Sequence, residues 1–412
     1  MKILVYGINY APELTGIGKY SGEMCSWLAA NGHEVRVVTA PPYYPDWSVS
    51  APFSPYSYKT EWIDGVKVMR CPLYVPKKPS TIKRILHLCS FAMSSGIRLF
   101  SQLSWRPDVL ICVVPTQFCS PIALLYSSLS RCKSVIHIQD YELDAMFGLG
   151  MAGGSNSSDS RVKRAAFAVE RWLLSKFHRV SSISNSMLNK ANEKGIATEQ
   201  LMFFPNWSET SRFLAVSGTD TLKAHLNIPP HHQVALYSGN IGEKQGLESV
   251  IEVAERMQSD SVTFLIVGQG AGKERLVLLA EQKRLQNVIF SPLLPYEQLP
   301  TLLSIADCHL VIQKKGAADA VLPSKLTNIL AIGGQSVITA ECETELGMLC
   351  QQYPDIAVRV DPENVEALYQ GIGICLEKPR FNAIAQNYAT QFIDKESVMK
   401  KLVLSLNTVL SR

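Results

Sequence analysis

Residues 1–39 read MKILVYGINYAPELTGIGKYSGEMCSWLAANGHEVRVVT, and this stretch decides the fold. The apolar run over 3–8 predicts a strand, followed by a Gly-containing turn, a helix over 20–30 that Gly32 stops, and a second strand over 34–39. A strand, helix, strand unit with nearly continuous apolar strands belongs to a parallel sheet covered on both faces.

Working outward, the same pattern predicts strands over 66–71, 109–114, 134–138 and 180–183, with helical stretches between most of them. From 205 to 230 it lapses into polar, Gly- and Pro-bearing sequence with one short helical stretch around Leu222. It then restarts, with strands expected over 234–237, 264–267, 288–290, 310–312, 337–339 and 357–360. The fold class is therefore α/β, with two doubly wound domains, 1–205 and 231–394, and a linker region over 206–230. The segment 395–412 reads as a terminal helix with Val398, Leu402, Leu406 and Val409 or Leu410 on one face. That stripe must be buried, and packing back on the first domain would bury it.

Composition narrows the function. A chain of 412 residues with 47% hydrophobic and 18% charged content is globular, which excludes disorder and coiled coil. The 40 Lys and Arg against 36 Asp and Glu leave +4, too little for a surface that wraps nucleic acid, so a basic partner site must be local. Ten Cys without a C-x-x-C pair read as small buried hydrophobes in a reducing compartment. The short apolar run at the N-terminus argues against export. Residues 109–130 carry no charge over 22 positions, but Pro115, Gln117 and Pro121 divide them into a buried strand, a turn and a helix rather than a membrane span.

In doubly wound folds ligands bind beyond the carboxyl ends of the strands. The first such turn carries Gly16-Ile17-Gly18 before a helix, where backbone N–H groups and the helix dipole can meet an anion; a plain flexible turn is the alternative. The third Gly of a G-x-G-x-x-G fingerprint would fall at Ser21, and the run Gly268-Gln269-Gly270-Ala271-Gly272-Lys273 fails in the same way, so neither supports a dinucleotide. The second domain opens with Gly239-Asn240-Ile241-Gly242-Glu243-Lys244, two glycines and a cation between strand and helix. A later helix starts at Pro323, and Ser324 and Lys325 put free N–H groups beside a cation. Two anion-ready helix starts in one domain suggest a diphosphate, with Asn328 one turn further in to bond a ribose.

These motifs, with Ala331-Ile332-Gly333-Gly334 after them, resemble the retaining glycosyltransferases of family four, which have the GT-B fold of two Rossmann-like domains facing a cleft. The wider sequence, including Ala40-Pro41-Pro42-Tyr43-Tyr44-Pro45 and His137-Ile138-Gln139-Asp140-Tyr141-Glu142, is similar to the fucosyltransferases of colanic acid assembly in enteric bacteria. The resemblance implies a nucleotide-sugar donor, GDP-fucose, held mainly by the second domain, and an acceptor held mainly by the first. It implies that Lys244 contacts the donor diphosphate, with the backbone near Ser324 and, from the first domain, Gly16 approaching it. Asn328 would face the ribose and Asp319 would reach the sugar.

Two positions depart from the family pattern. Its Glu-x7-Glu pair falls on Ala320 and Asn328, so Asp319 is the nearest carboxylate. Gln139 stands where many relatives have His, leaving Asp140 and Glu142 as candidate contacts to the acceptor hydroxyl or reacting sugar; Asp140 as a helix cap is the alternative. His137 inside the strand reads as a core histidine. No Asp-x-Asp pair is present, so metal-independent transfer is expected, with no cofactor beyond the donor substrate.

Between Gly65 and Pro107 there is no acidic residue and eight cations, among them Lys77, Lys78, Lys83 and Arg84, interleaved with apolar residues. That is the composition of a helix lying on an anionic bilayer, or of a buried helix with a solvated end. Membrane contact suits a saccharide acceptor on a polyprenyl diphosphate, and places the protein in the cytoplasm at the inner face of the membrane. A GT-B nucleotide-sugar epimerase and a catalytically idle subunit of a polysaccharide assembly complex are the other readings.

Overall fold

The apolar runs become strands because they bury backbone and side chain together. In the computed structural model, which describes residues 1–13, 16–44, 46–77, 80–115, 117–144, 157–213, 217–317 and 322–411, the chain divides into two compact units. One comprises residues 1–206 with 399–412, the other 207–398.

The first unit holds an eight-stranded sheet of β1 (Lys2–Tyr6), β2 (Glu34–Thr39), β3 (Lys59–Ile63), β4 (Val66–Arg70), β5 (Val109–Val114), β6 (Lys133–Ile138), β7 (Arg179–Ser182) and β8 (Leu201–Phe203). The order is β3-β4-β2-β1-β5-β6-β7-β8, and every pairing is parallel except β3 with β4. That antiparallel edge was not expected: its alternating half-exposed residues hide in a charged stretch, although Asp64-Gly65, both at positive φ, is the dipeptide that a two-residue hairpin favours. The first helix, Gly16–Ala30, also opens earlier than position 20. All six residues of β5 are buried, and the uncharged stretch after it turns through Gln117–Cys119 into the helix Ser120–Ser130. Among the described residues no helix is long and apolar enough to cross a membrane.

The carboxyl ends of these strands are tied by one cation. Arg70, 1% exposed, pairs through Nε with Glu61 Oε1 at 2.5 Å and donates to the carbonyls of Ala40 (3.0 Å) and Ala11 (2.6 Å). It therefore does not belong to the basic surface its neighbours in sequence suggest.

The second unit holds β9 (Gln233–Ser238), β10 (Val262–Val267), β11 (Val288–Ser291), β12 (Cys308–Val311), β13 (Ser336–Thr339) and β14 (Val358–Val360), all parallel, in the order β11-β10-β9-β12-β13-β14. Residues read as a linker contribute to its core: Phe213, Leu222, Leu226 and Ile228 pack with β9, β10 and the helix Ser324–Ala331. The last helix, Lys395–Leu410, buries Val398, Met399, Leu402, Leu406 and Val409, and its residues from 399 onward group with the first unit.

Glycines in the second unit serve close packing as much as ligand approach. A Cβ on Gly268 would lie 2.0 Å from the Gly239 carbonyl oxygen, and one on Gly270 2.3 Å from that of Ile241. Backbone bonds from Ile241 N–H to Gln269 O (2.8 Å) and Gly272 N–H to Ile241 O (2.9 Å) zip the two turns together. Gly334 likewise makes room for buried His309, whose Nε2 would be 2.5 Å from a Cβ there.

Gly268→Ala is expected to destabilise the second unit by about 1–3 kcal/mol, because backbone rather than a flexible side chain must yield. Gly373→Ala, in the helix Val365–Glu377 with open space around it, should be neutral or stabilise by up to about 1 kcal/mol. Urea unfolding of both variants checks this; equal midpoints would refute it.

Candidate active site

Each sheet changes direction once, between β1 and β5 in the first unit and between β9 and β12 in the second. Loops diverge at such a switch point and leave a crevice beyond the strand ends.

In the second unit, β9 ends at Ser238 and Gly239 turns the chain at φ +150°. Asn240 and Lys244 are exposed on the loop that follows, and Lys244 has no ion pair among the described residues. Its carbonyl accepts from the Lys314 N–H at 2.9 Å, which binds the loop after β9 to the loop after β12. The helix Ser324–Ala331 begins beside them, with Lys325 Nζ 4.7 Å from the Tyr237 ring centroid. A Cβ on Gly239 would lie 3.8 Å from Lys325 Cδ. The first bonds to Pro323 O come from Leu326 and Thr327, so the N–H groups of Ser324 and Lys325 belong to the first turn of the helix. Two lysines, a glycine turn and a helix start thus gather at one crevice, a set that suits a diphosphate.

Tyr237 and Lys314 were not predicted. Tyr237 looks like a strand residue in sequence, yet it braces the turn, its hydroxyl donating to Asn240 O at 2.5 Å. Asn328 is half-buried and accepts from Ser208 Oγ at 3.2 Å through Oδ1. Asp319 lies outside the described residues.

In the first unit, Gly16 has nothing within 4 Å of where a Cβ would stand, so its backbone is open to approach. Gly18 differs: a Cβ there would be 2.4 Å from Glu13 Oε2, so this glycine accommodates a buried carboxylate. Glu13, missed by motif reading, accepts from the backbone N–H groups of Tyr43 and Tyr44 and from Asn9 Nδ2. Burial raises its pKa despite those bonds.

Glu142 follows β6 and accepts from the Gln117 N–H after β5 at 2.7 Å. Burial, with smaller contributions from Asp140 and Glu170, pushes its carboxyl up to about 7. Glu13 and Glu142 also act on the buried Tyr43 phenol, whose pKa burial raises first. Asp140 is exposed without a hydrogen bond among the described residues. His137 is a core residue: it bonds Ser181 Oγ at 3.0 Å, and burial pushes it down to about 3.

Residues 15–207 match the Glycosyl transferase 4-like domain, and residues 218–392 match Glycosyl transferases group 1. The Escherichia coli (strain K12) protein named putative colanic acid biosynthesis glycosyl transferase WcaI is 57% identical over 405 residues, 98% of this chain and 99% of that protein. The chain belongs to this glycosyltransferase family.

Solved structures agree on the fold. Sucrose-phosphate synthase from Thermosynechococcus elongatus superimposes with a TM-score of 0.68 at 14% identity, covering 100% of both chains. HepE of Anabaena, in complex with UDP, gives 0.65 at 14% identity, over 99% of this chain and 100% of that one. The glycosyltransferase has the two-domain GT-B architecture, and its group 1 match begins before the helix Thr219–His225, within the stretch read as a linker.

The glycosyltransferase also presents an amphipathic surface on the helix Thr81–Phe100. Leu86, Met93 and Ile97 are exposed along it, Met93 to 76% and Ile97 to 70%. Tyr58 and Tyr74 flank this stripe, the Tyr58 hydroxyl donating to Ser94 O and the Tyr74 backbone N–H to Ser90 Oγ. On the neighbouring helix Ser120–Ser130, whose Ile122 lies 3.7 Å from where a Gly96 Cβ would stand, Leu125 and Leu129 are exposed. Lys77, Lys83 and Arg84 are exposed at its amino end, and Lys78 lies outside the described residues.

The Glu142 carboxyl predicts a pH dependence. Folding keeps it protonated to about pH 7 against an ordinary 4.5, so between those values the folded state binds more protons and the group costs stability as pH rises. Glu142→Gln should leave the urea midpoint near pH 4 almost unchanged and raise stability at pH 8 by on the order of 1–2 kcal/mol. No gain at pH 8 would contradict a buried acid.

Proposed function

We propose that this glycosyltransferase moves fucose from GDP-fucose, with retention of configuration, to a saccharide carried on a polyprenyl diphosphate during exopolysaccharide biosynthesis. The Escherichia coli relative's name supports the colanic acid pathway. The observation that carries the reading is the gathering of Lys244, Lys325 and the start of the helix Ser324–Ala331 at the β9 and β12 crevice. Cations and helix N–H groups at that place stabilise charge developing on a departing diphosphate.

In this reading Gly239, Asn240 and Ser324 give the donor phosphates close backbone contact. Asn328 bonds the ribose through its amide nitrogen, since its oxygen accepts from Ser208. Glu142, with Asp140 beside it, meets the acceptor hydroxyl, and a carboxyl that titrates at about 7 can hold or release a proton there. Asp319 is assigned to the sugar.

The exposed stripe of Leu86, Met93 and Ile97, rimmed by tyrosines and headed by Lys77, Lys83 and Arg84, fits the interface of an anionic bilayer. A lipid-linked acceptor would then meet the enzyme at the inner face of the cytoplasmic membrane. Neither an epimerase nor an idle subunit requires such a face.

Thermal shift against GDP-, UDP- and dTDP-sugars tests the donor. GDP-fucose should stabilise the wild type and lose most of that effect in Lys244→Ala, with turnover unchanged by EDTA; stabilisation by none of the three would end this reading. Replacing Lys77, Lys78, Lys83 and Arg84 with Glu should abolish co-sedimentation with anionic liposomes. Sedimentation equal to wild type would remove the membrane assignment.

A further inference from the structure

The buried carboxylate of Glu13 has a specific set of partners. Its Oε1 lies 3.2 Å from the backbone nitrogens of both Tyr43 and Tyr44, and its Oε2 lies 3.0 Å from Asn9 Nδ2. Asn9 continues from β1 and the two tyrosines follow β2, so one side chain fastens two loops at the switch-point end of the first sheet. Gly18 closes the third side, where any larger residue would strike the carboxylate.

The loop so fastened is braced from beneath. Tyr43 is buried, with its ring 4.7 Å from that of His87 and 5.7 Å from that of Trp47, over which the Arg84 guanidinium sits at 5.6 Å. The next residue behaves differently. Tyr44, whose N–H is held by the same carboxylate oxygen, is an exposed aromatic residue, 47% accessible. An exposed aromatic ring on a backbone fixed by a buried hydrogen bond is a preorganised stacking face, and the ring's apolar surface with its polar hydroxyl suits a pyranose.

We propose that Glu13 is a positioning residue for the acceptor, and that Tyr44 is the surface it positions, stacking on a sugar ring of the acceptor saccharide. This rests on the reading that the first unit binds a saccharide acceptor. Glu13 itself touches no substrate. It works by holding the Tyr44 backbone against the turn after β1.

The test is steady-state transfer from a nucleotide sugar to a synthetic polyprenyl-diphosphate-linked saccharide, with acceptor KM, donor KM and kcat measured separately, and thermal denaturation alongside. Tyr44→Ala and Glu13→Ala should each raise acceptor KM about tenfold, the equivalent of one stacking contact of about 1.4 kcal/mol, with donor KM unchanged. The double variant should lose little more than either single one, because both remove the same contact. Glu13→Gln should restore the acceptor KM, since its amide oxygen can accept both N–H groups once the Asn9 amide turns over. Tyr44→Ala, an exposed ring, should keep the wild-type Tm, so the proposal is tested even where Glu13→Ala fails to fold. An unchanged acceptor KM in Tyr44→Ala, fully multiplicative losses in the double variant, or equal rises in donor and acceptor KM would overturn it. A wild type that transfers nothing to any lipid-linked saccharide overturns the functional reading and this inference together; a wild type that transfers, with indifferent variants, overturns this inference alone.

Discussion

The guanidinium of Arg70 sets the geometry on which the first unit depends. Loops at the carboxyl ends of parallel strands have carbonyls that no neighbouring strand satisfies, and here two of them, from Ala11 and Ala40, are bonded by one buried cation. Arginine suits this position because its planar fork reaches several acceptors at once, which a lysine ammonium on a flexible stem does not. Burying that charge is tolerable only because Glu61 comes from the antiparallel β3 to meet it, so the edge hairpin and the central loops are energetically one structure. Phe53, over whose ring Arg70 also sits at 4.7 Å, closes the remaining face.

The second unit solves the same problem without charge. Gly268 and Gly270 let the turns after β9 and β10 meet backbone to backbone, so the carbonyls there are bonded by peptide N–H groups instead of a side chain. Lys325 Nζ lies over the Tyr237 ring, and the Lys244 carbonyl accepts from the Lys314 N–H, so the loop after β9 is tied to the loop after β12.

These two solutions explain what was legible in the sequence. Strands such as β5, β9 and β10 were plain because burial on both faces demands an unbroken apolar run. β3 was not, since an edge strand needs to be apolar on neither face. Gly16 and Gly18 look equivalent as letters, yet one is open and the other is shaped around Glu13; only the fold shows where Glu13 points. Arg70 was counted with the basic surface because its partner Glu61 lies just before the acid-free window and meets it across a hairpin. The helix start at Ser324 and the glycine turn at Gly239 are local patterns, whereas the pairings of Lys314 with Lys244 and of Tyr237 with Lys325 form only across the sheet.

The same contrast separates the electrostatics of the two units. In the first, the polar groups at the crevice are carboxyls whose charge burial opposes, Glu13 and Glu142, and the acidic neighbours of Glu142 oppose it further. In the second they are lysines. A net charge of +4 averages over both and reveals neither. For the proposed transfer this division is functional: a departing diphosphate needs fixed positive charge, while an acceptor hydroxyl needs an oxygen that can take a proton near neutral pH. A carboxylate at its ordinary pKa would take that proton poorly, and the burial that raises Glu142 comes with its place between the β5 and β6 loop ends, where it accepts from the Gln117 N–H.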